Sequence, residues 1–173
     1  LNPVEVMGYA RFAQAAQAAG VDGVLTVDLP PEEAGGLLDE LKQVALDPIF
    51  LLSPATSDER VRKVAAVASG FLYYVSFKGV TGANRLDVGA VAAKLNAIRR
   101  LTDIPVGVGF GIRDAQSAAE VSAAADAVVV GSALVKRIAE LAAQPGAIEA
   151  SVAEVLASMR NAMDAQQRAV ASR

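Results

Sequence analysis

Three glycine clusters are the residues best placed to do chemistry in this chain. They are Lys78-Gly79-Val80-Thr81-Gly82-Ala83, Gly107-Val108-Gly109-Phe110-Gly111-Ile112, and Gly131-Ser132 ahead of Ala133. Each closes an apolar, β-branched run. A phosphate group needs several backbone N–H donors aimed at one point with no side chain in the way, and glycines beside a helix N-terminus supply that geometry. A single cluster reads as strand punctuation. Three at corresponding strand ends read as a phosphate site. Gly109-Phe110-Gly111 is not a dinucleotide fingerprint, because Asp114 stands where G-x-G-x-x-G requires its third glycine.

Other candidates surround these clusters. The stretch Ser76–Arg85 is longer than a minimal strand-to-helix connection and carries Lys78 and Thr81. It reads either as a lid over a substrate or as a solvated loop. Tyr73 and Tyr74 are neighbours on a strand, so they face opposite sides. Asp28 ends a strand and precedes Leu29-Pro30-Pro31. It is an acid or base, an interface contact, or a turn-former. Asp58 and Glu59 are accounted for by helix capping, and no second carboxylate is placed to pair with Asp28. The chain has no His and no Cys, which excludes Ser-His and Cys-His catalysis and disulfides and leaves Asp, Glu, Lys, Tyr or water as the proton carriers near neutral pH. A zinc site would need carboxylates alone, so no metal is expected.

The elements that position these residues alternate along the chain. The expected strands are Gly23–Val27, Ile49–Leu52, Phe71–Val75, Val106–Gly109 and Ala127–Val130. Their continuous apolar character suits a parallel sheet covered by helices. Helices are expected over Tyr9–Ala19, from Pro31 with Glu32 and Glu33 in its first turn, from Ser57-Asp58 to about Ala68, and from Asp87 to Leu101. Asp114 caps another, running to about Ala124. A short helix Ala133–Glu140 precedes a long one from about Ala147, with Ile148, Val152, Val155, Leu156, Met159 and Met163 on one stripe. This βα repeat fits a doubly wound sheet or a (β/α)8 barrel. A short helix after the last strand, next to glycines, is how barrels build phosphate sites.

Composition bounds the function. The 173 residues are 53% hydrophobic and 20% charged, with a net charge of -3 and a mean hydropathy of +0.37. This is globular and not disordered. No basic block points to nucleic acid. No apolar run reaches the ~18 residues of a membrane span. Lack of cysteine suits a reducing compartment, and the cytoplasm is the expected location. The chain opens Leu1-Asn2-Pro3 without Met, which suggests a start elsewhere.

The segments Asn2-Pro3…Gly8, Ala19-Gly20-Val21-Asp22-Gly23-Val24, Asp28-Leu29-Pro30-Pro31-Glu32-Glu33, Gly79-Val80-Thr81-Gly82, Val108–Ile112 and Gly131–Lys136 together resemble the tryptophan synthase α subunit family. The resemblance implies an α/β fold of the (β/α)8 TIM-barrel family. Residues 1–173 would form a single partial domain, holding the fourth to eighth strands and lacking the first three βα units. It implies retro-aldol cleavage of indole-3-glycerol phosphate to indole and glyceraldehyde 3-phosphate in tryptophan biosynthesis. No cofactor is implied for this subunit, since pyridoxal phosphate belongs to the partner β subunit of an αββα complex.

By the same resemblance, Gly82, Gly111, Gly131 and Ser132 bind the substrate phosphate, and Leu25, Val27, Leu51 and Phe110 line the indole pocket. Tyr73 lies near the catalytic carboxylate and is the inward tyrosine of the pair. Thr81 orients that carboxylate when the lid, Phe77, Lys78, Gly79 and Val80, closes. Asp28 sits near the β-subunit contact. Phe77 departs from the family, where many members carry Arg. The family's catalytic Glu and Asp precede the segment matching Asn2-Pro3, so this chain alone is expected to be inactive. Two other readings are another phosphate-binding barrel enzyme, of the indole-glycerol-phosphate synthase or sugar-phosphate isomerase type, and a non-catalytic interaction module.

Overall fold

The computed structural model describes residues 1–76, 87–109 and 111–171. The chain divides into two compact units, Leu1–Tyr73 with Ile98–Pro105, and Tyr74–Ala97 with Val106–Arg173.

The first unit contains α1 (Asn2–Met7), α2 (Tyr9–Ala18), β1 (Gly23–Leu25), α3 (Gly35–Gln43), β2 (Asp47–Leu52), α4 (Asp58–Ala65) and the start of β3 (Leu72–Val75). Its strand order is β1-β2-β3. β1 and β2 run parallel, with Gly23 opposite Asp47 and Leu25 opposite Ile49. The core is built from Leu37 and Leu41 of α3, Phe50 and Leu52 of β2, Val61 and Val64 of α4, and Leu72. On the helices, Leu37 and Leu41 are spaced by four and Val61 and Val64 by three, as one apolar face requires.

Local chemistry sets most of these boundaries. Gly20, at φ +80°, takes the chain out of α2 in a conformation that side chains disfavour. Ser57 caps α4 by accepting the Arg60 backbone N–H at 3.3 Å. The helix expected from Pro31 is a correction. Pro31, Glu32 and Glu33 form turns, with the Glu33 N–H donating to the Pro30 carbonyl, and α3 begins at Gly35. Pro31 keeps Pro30 out of helical conformation. Gly36 lies against the Tyr9 ring, where an added Cβ would sit 3.2 Å from Cε2, so the close approach of α2 and α3 fixes where α3 starts. The turn of helix over Asn2–Met7 was not expected, although Pro3 suits its first turn.

The second unit holds the end of β3, α5 (Val88–Arg99, of which Ile98 and Arg99 fall in the first unit), β4 (Val106–Gly109), α6 (Ala115–Ser122), β5 (Ala127–Val129), α7 (Ser132–Glu140) and α8 (Ile148–Ala171). Its strand order is β3-β4-β5. β4 and β5 are parallel, with Val108 opposite Val128. Every residue of β4 is buried, which is why that strand reads as an unbroken apolar run.

Asp87 and Asp114 cap α5 and α6 as expected. Asp87 Oδ1 accepts the Ala90 N–H at 2.9 Å. Asp114 and Ser117 form a reciprocal capping box. α6 lies along α8, where Met159 is buried. The expected α8 stripe needs one correction: Leu156 is exposed, and Ser151 is the buried neighbour of that face.

Candidate functional site

In the first unit, the chain leaving β1 turns over the end of β2. Residues Thr26–Pro31, Phe50, Leu51, Thr56, Arg60 and Val64 line a cleft of about 380 Å³. The Thr56 hydroxyl accepts the Ser53 N–H at 2.9 Å, which folds this turn toward α4. Arg60, on the first turn of α4, pairs with Glu32. Glu32 is held below the ordinary carboxylate range, first by a backbone hydrogen bond in its own residue and then by Arg60. Asp28 Oδ1 accepts from the Leu1 amino group at 2.6 Å, and that bond is the main cause of its lowered pKa.

The structure thus places Val27, Asp28 and Leu51 along one cleft. Leu25 and Tyr73 do not line it. Val27 is 76% exposed and Leu25 41%. Leu51 is half-buried. Tyr74 is buried and Tyr73 half-buried, so the two rings alternate as strand geometry requires. Burial pushes both phenols up, which keeps them neutral donors near pH 7. Thr56, Glu32 and Arg60 were missed by sequence reasoning. The Ser57 cap was the available signal, since it sets Arg60 on the first exposed turn of α4.

In the second unit, Gly111 follows β4 at φ +84°, in the left-handed region that favours glycine. Gly131 is the N-cap of α7 and makes no side-chain cap. Its carbonyl accepts the Leu134 and Val135 N–H groups at 3.0 and 3.1 Å. The helix therefore has no internal use for the N–H groups of Ser132 and Ala133. Among the described residues, a Cβ built on Gly131 would meet nothing within 4 Å, so none of them covers these donors. Gly131 and Ser132 are both exposed. The helix dipole adds partial positive charge at this point. The expected site residues Phe77, Lys78, Gly79, Val80, Thr81, Gly82 and Phe110 lie outside the described residues.

Among the described residues, no group of three or more His, Cys, Asp or Glu stands close enough to hold a metal ion. Among the same residues, no helix is long and apolar enough to cross a membrane.

Comparison with known proteins is concordant. Residues 1–166 match the family model described as tryptophan synthase alpha chain. The tryptophan synthase alpha chain of Thioalkalivibrio sulfidiphilus is 63% identical over 164 residues, 95% of this chain and 62% of that protein. That of Alkalilimnicola ehrlichii is 58% identical over 172 residues, 99% of this chain and 63% of that one. Tryptophan synthase subunit alpha from Legionella pneumophila str. Paris superposes with a TM-score of 0.81 at 41% identity, over 94% of this chain and 60% of its own. The chain therefore spans about three-fifths of the length of these relatives. Its five parallel strands with their helices are an α/β fold of the (β/α)8 barrel family.

Proposed function

The chain belongs to the tryptophan synthase alpha chain family, and from that membership we propose that its residues serve the cleavage of indole-3-glycerol phosphate to indole and glyceraldehyde 3-phosphate. The observation that carries this reading is the start of α7. There a bare glycine N-cap leaves two backbone donors and a helix dipole uncovered by any described residue, which is how a phosphate is held without a charged side chain. Membership selects this activity over that of another phosphate-binding barrel and over a non-catalytic module.

In this reading Gly111, Gly131 and Ser132, together with Gly82, take the substrate phosphate. Leu25, Val27 and Leu51, with Phe110, contact the indole ring. The exposure of Leu25 and Val27 fits surfaces that pack against a ligand or further chain. Tyr73 supports the catalytic carboxylate as a neutral phenol, and Thr81 does so from the lid Phe77–Val80. Asp28 lies at the mouth of its cleft, toward a β subunit in an αββα assembly. The alpha chain uses no cofactor of its own, pyridoxal phosphate being the β subunit's, and the protein works in the cytoplasm.

Retro-aldol cleavage requires protonation of the indole C3 carbon and removal of a proton from the glycerol hydroxyl. Two carboxylates with separated pKa values divide those tasks. These 173 residues contain no counterpart of the family's Glu and Asp pair. The polypeptide of this sequence therefore binds an alkyl phosphate but releases no indole. Two measurements test this: calorimetric titration with glycerol 3-phosphate, and indole release from indole-3-glycerol phosphate. Absence of binding overturns the phosphate assignment. Indole release above the uncatalysed rate overturns the assignment of the acid/base pair to residues not in this sequence.

A further inference from the structure

We propose that Arg137 is a positioning residue which, through Ser151, sets the direction in which the first turn of α7 points its N–H donors. The proposal rests on the phosphate reading of Gly131 and Ser132.

No residue of α7 is buried. Its inner face consists of Ala133, Leu134 and Arg137, followed by Leu141, all of them half-buried and spaced as one side of a helix. Its outer face exposes Val135 and Ile138. The centre of the inner face is thus an arginine where an apolar anchor would ordinarily sit. Arg137 Nε–H donates to Ser151 Oγ at 2.5 Å. Ser151 lies in the first turns of α8 and is 8% exposed. The guanidinium also reaches Glu140 at 3.3 Å, so it is braced from its own helix. A hydrogen bond from a charged donor to a buried hydroxyl is directional and stronger than a neutral one.

Arg137 cannot touch an anion at the helix start. It stands six residues beyond Gly131, or about 9 Å along the axis. Its influence must pass through the orientation of the helix. That orientation matters because helix-end donors act within the first turn and weaken steeply once the N–H···O angle falls. With little apolar burial to hold α7, loss of the Arg137–Ser151 bond lets the helix roll and misdirects the Ser132 and Ala133 N–H groups.

The test is a titration of the isotopically labelled 173-residue chain with glycerol 3-phosphate, following the Gly131 and Ser132 amide signals. The variants are Arg137→Met, Ser151→Ala and the double variant. Ser151→Ala keeps the guanidinium charge, so it separates the bond from long-range electrostatics. Each single variant is expected to weaken binding by about three- to tenfold, and the double variant no more than the worse single. Wild-type affinity in Ser151→Ala, or a double variant as weak as the two singles combined, overturns the proposal. If Arg137→Met does not fold, Ser151→Ala alone decides. If the wild-type chain shows no shift at Gly131 and Ser132, the phosphate reading itself fails, and the proposal with it.

Discussion

Replacing Gly131 by Asp should make the chain more stable and at the same time weaken phosphate binding about thirtyfold. The position is exposed, its φ of −122° lies outside the left-handed region, and among the described residues an added Cβ meets nothing within 4 Å. An aspartate there puts a carboxylate at the positive end of α7, which adds ~0.3–1 kcal/mol, or a rise of about 1–4 °C in Tm for a chain of this size. The same carboxylate stands beside the phosphate position and repels it. Two unit charges 4 Å apart repel by about 1 kcal/mol even in water. A phosphate carries nearly two, so binding weakens by about 2 kcal/mol, roughly thirtyfold. Thermal melts and glycerol 3-phosphate titration measure both quantities on one sample. Gly131→Asn is the neutral control and should retain most of the affinity. The reasoning fails if the Asp variant binds within threefold of wild type, or if Asn loses as much as Asp.

Other outcomes follow from local geometry. Asp114→Ala removes the carboxylate that accepts the Ser117 N–H at 2.8 Å and half of a capping box, so urea unfolding should show a loss of about 1–2 kcal/mol. The Ser117 backbone N–H, and then its side chain, hold the Asp114 carboxyl below its ordinary value. The stability it contributes is therefore fully present above the unfolded value of about 3.9 and is lost as pH falls through the lower folded value. The stability gap between wild type and Asp114→Asn should close in acid; a gap that stays constant from pH 6 to pH 2 contradicts the assignment. Gly70→Ala meets two obstacles, a φ of +67° and a Cβ 2.9 Å from Asp47 Oδ2. It should cost at least about 1–2 kcal/mol, and an unchanged denaturation midpoint would refute this.

What could be read in advance was whatever is encoded over a few neighbouring residues. The strand Val106–Gly109 was legible to its last residue because all of its positions are buried, so nothing interrupts the apolar run. Asp114 announced α6 because a capping box needs only four residues. Gly131 was legible as the start of α7 for the same reason: strand end, glycine and helix start are contiguous. The misses depend on distant partners. Two glutamates after a proline look like a first helical turn, yet Glu32 is drawn to Arg60 and Gly36 is pinned by Tyr9. Leu156 fits the apolar period of α8, but the helix turns Ser151 toward Arg137. The cleft joins residues from β1, β2 and α4, and no local pattern brings Thr56 and Arg60 to Asp28.

The contrast between strand starts and strand ends bears on where chemistry can occur. At the start of β2, Asp47 accepts the Ser69 hydroxyl at 2.5 Å. At the start of β4, Asp126 accepts the Val106 N–H at 2.8 Å and returns its own N–H to the Val106 carbonyl at 3.1 Å. These carboxylates are engaged within the fold, as expected at the stabilising face of a barrel. The strand ends differ. Gly131 presents bare backbone, and Gly111 a left-handed turn. Asp28, just past β1, is exposed. A count of acidic residues would therefore mislead about catalytic capacity. Asp47 and Asp126 hold the fold at strand starts, while the described strand ends present backbone donors and no paired carboxylates.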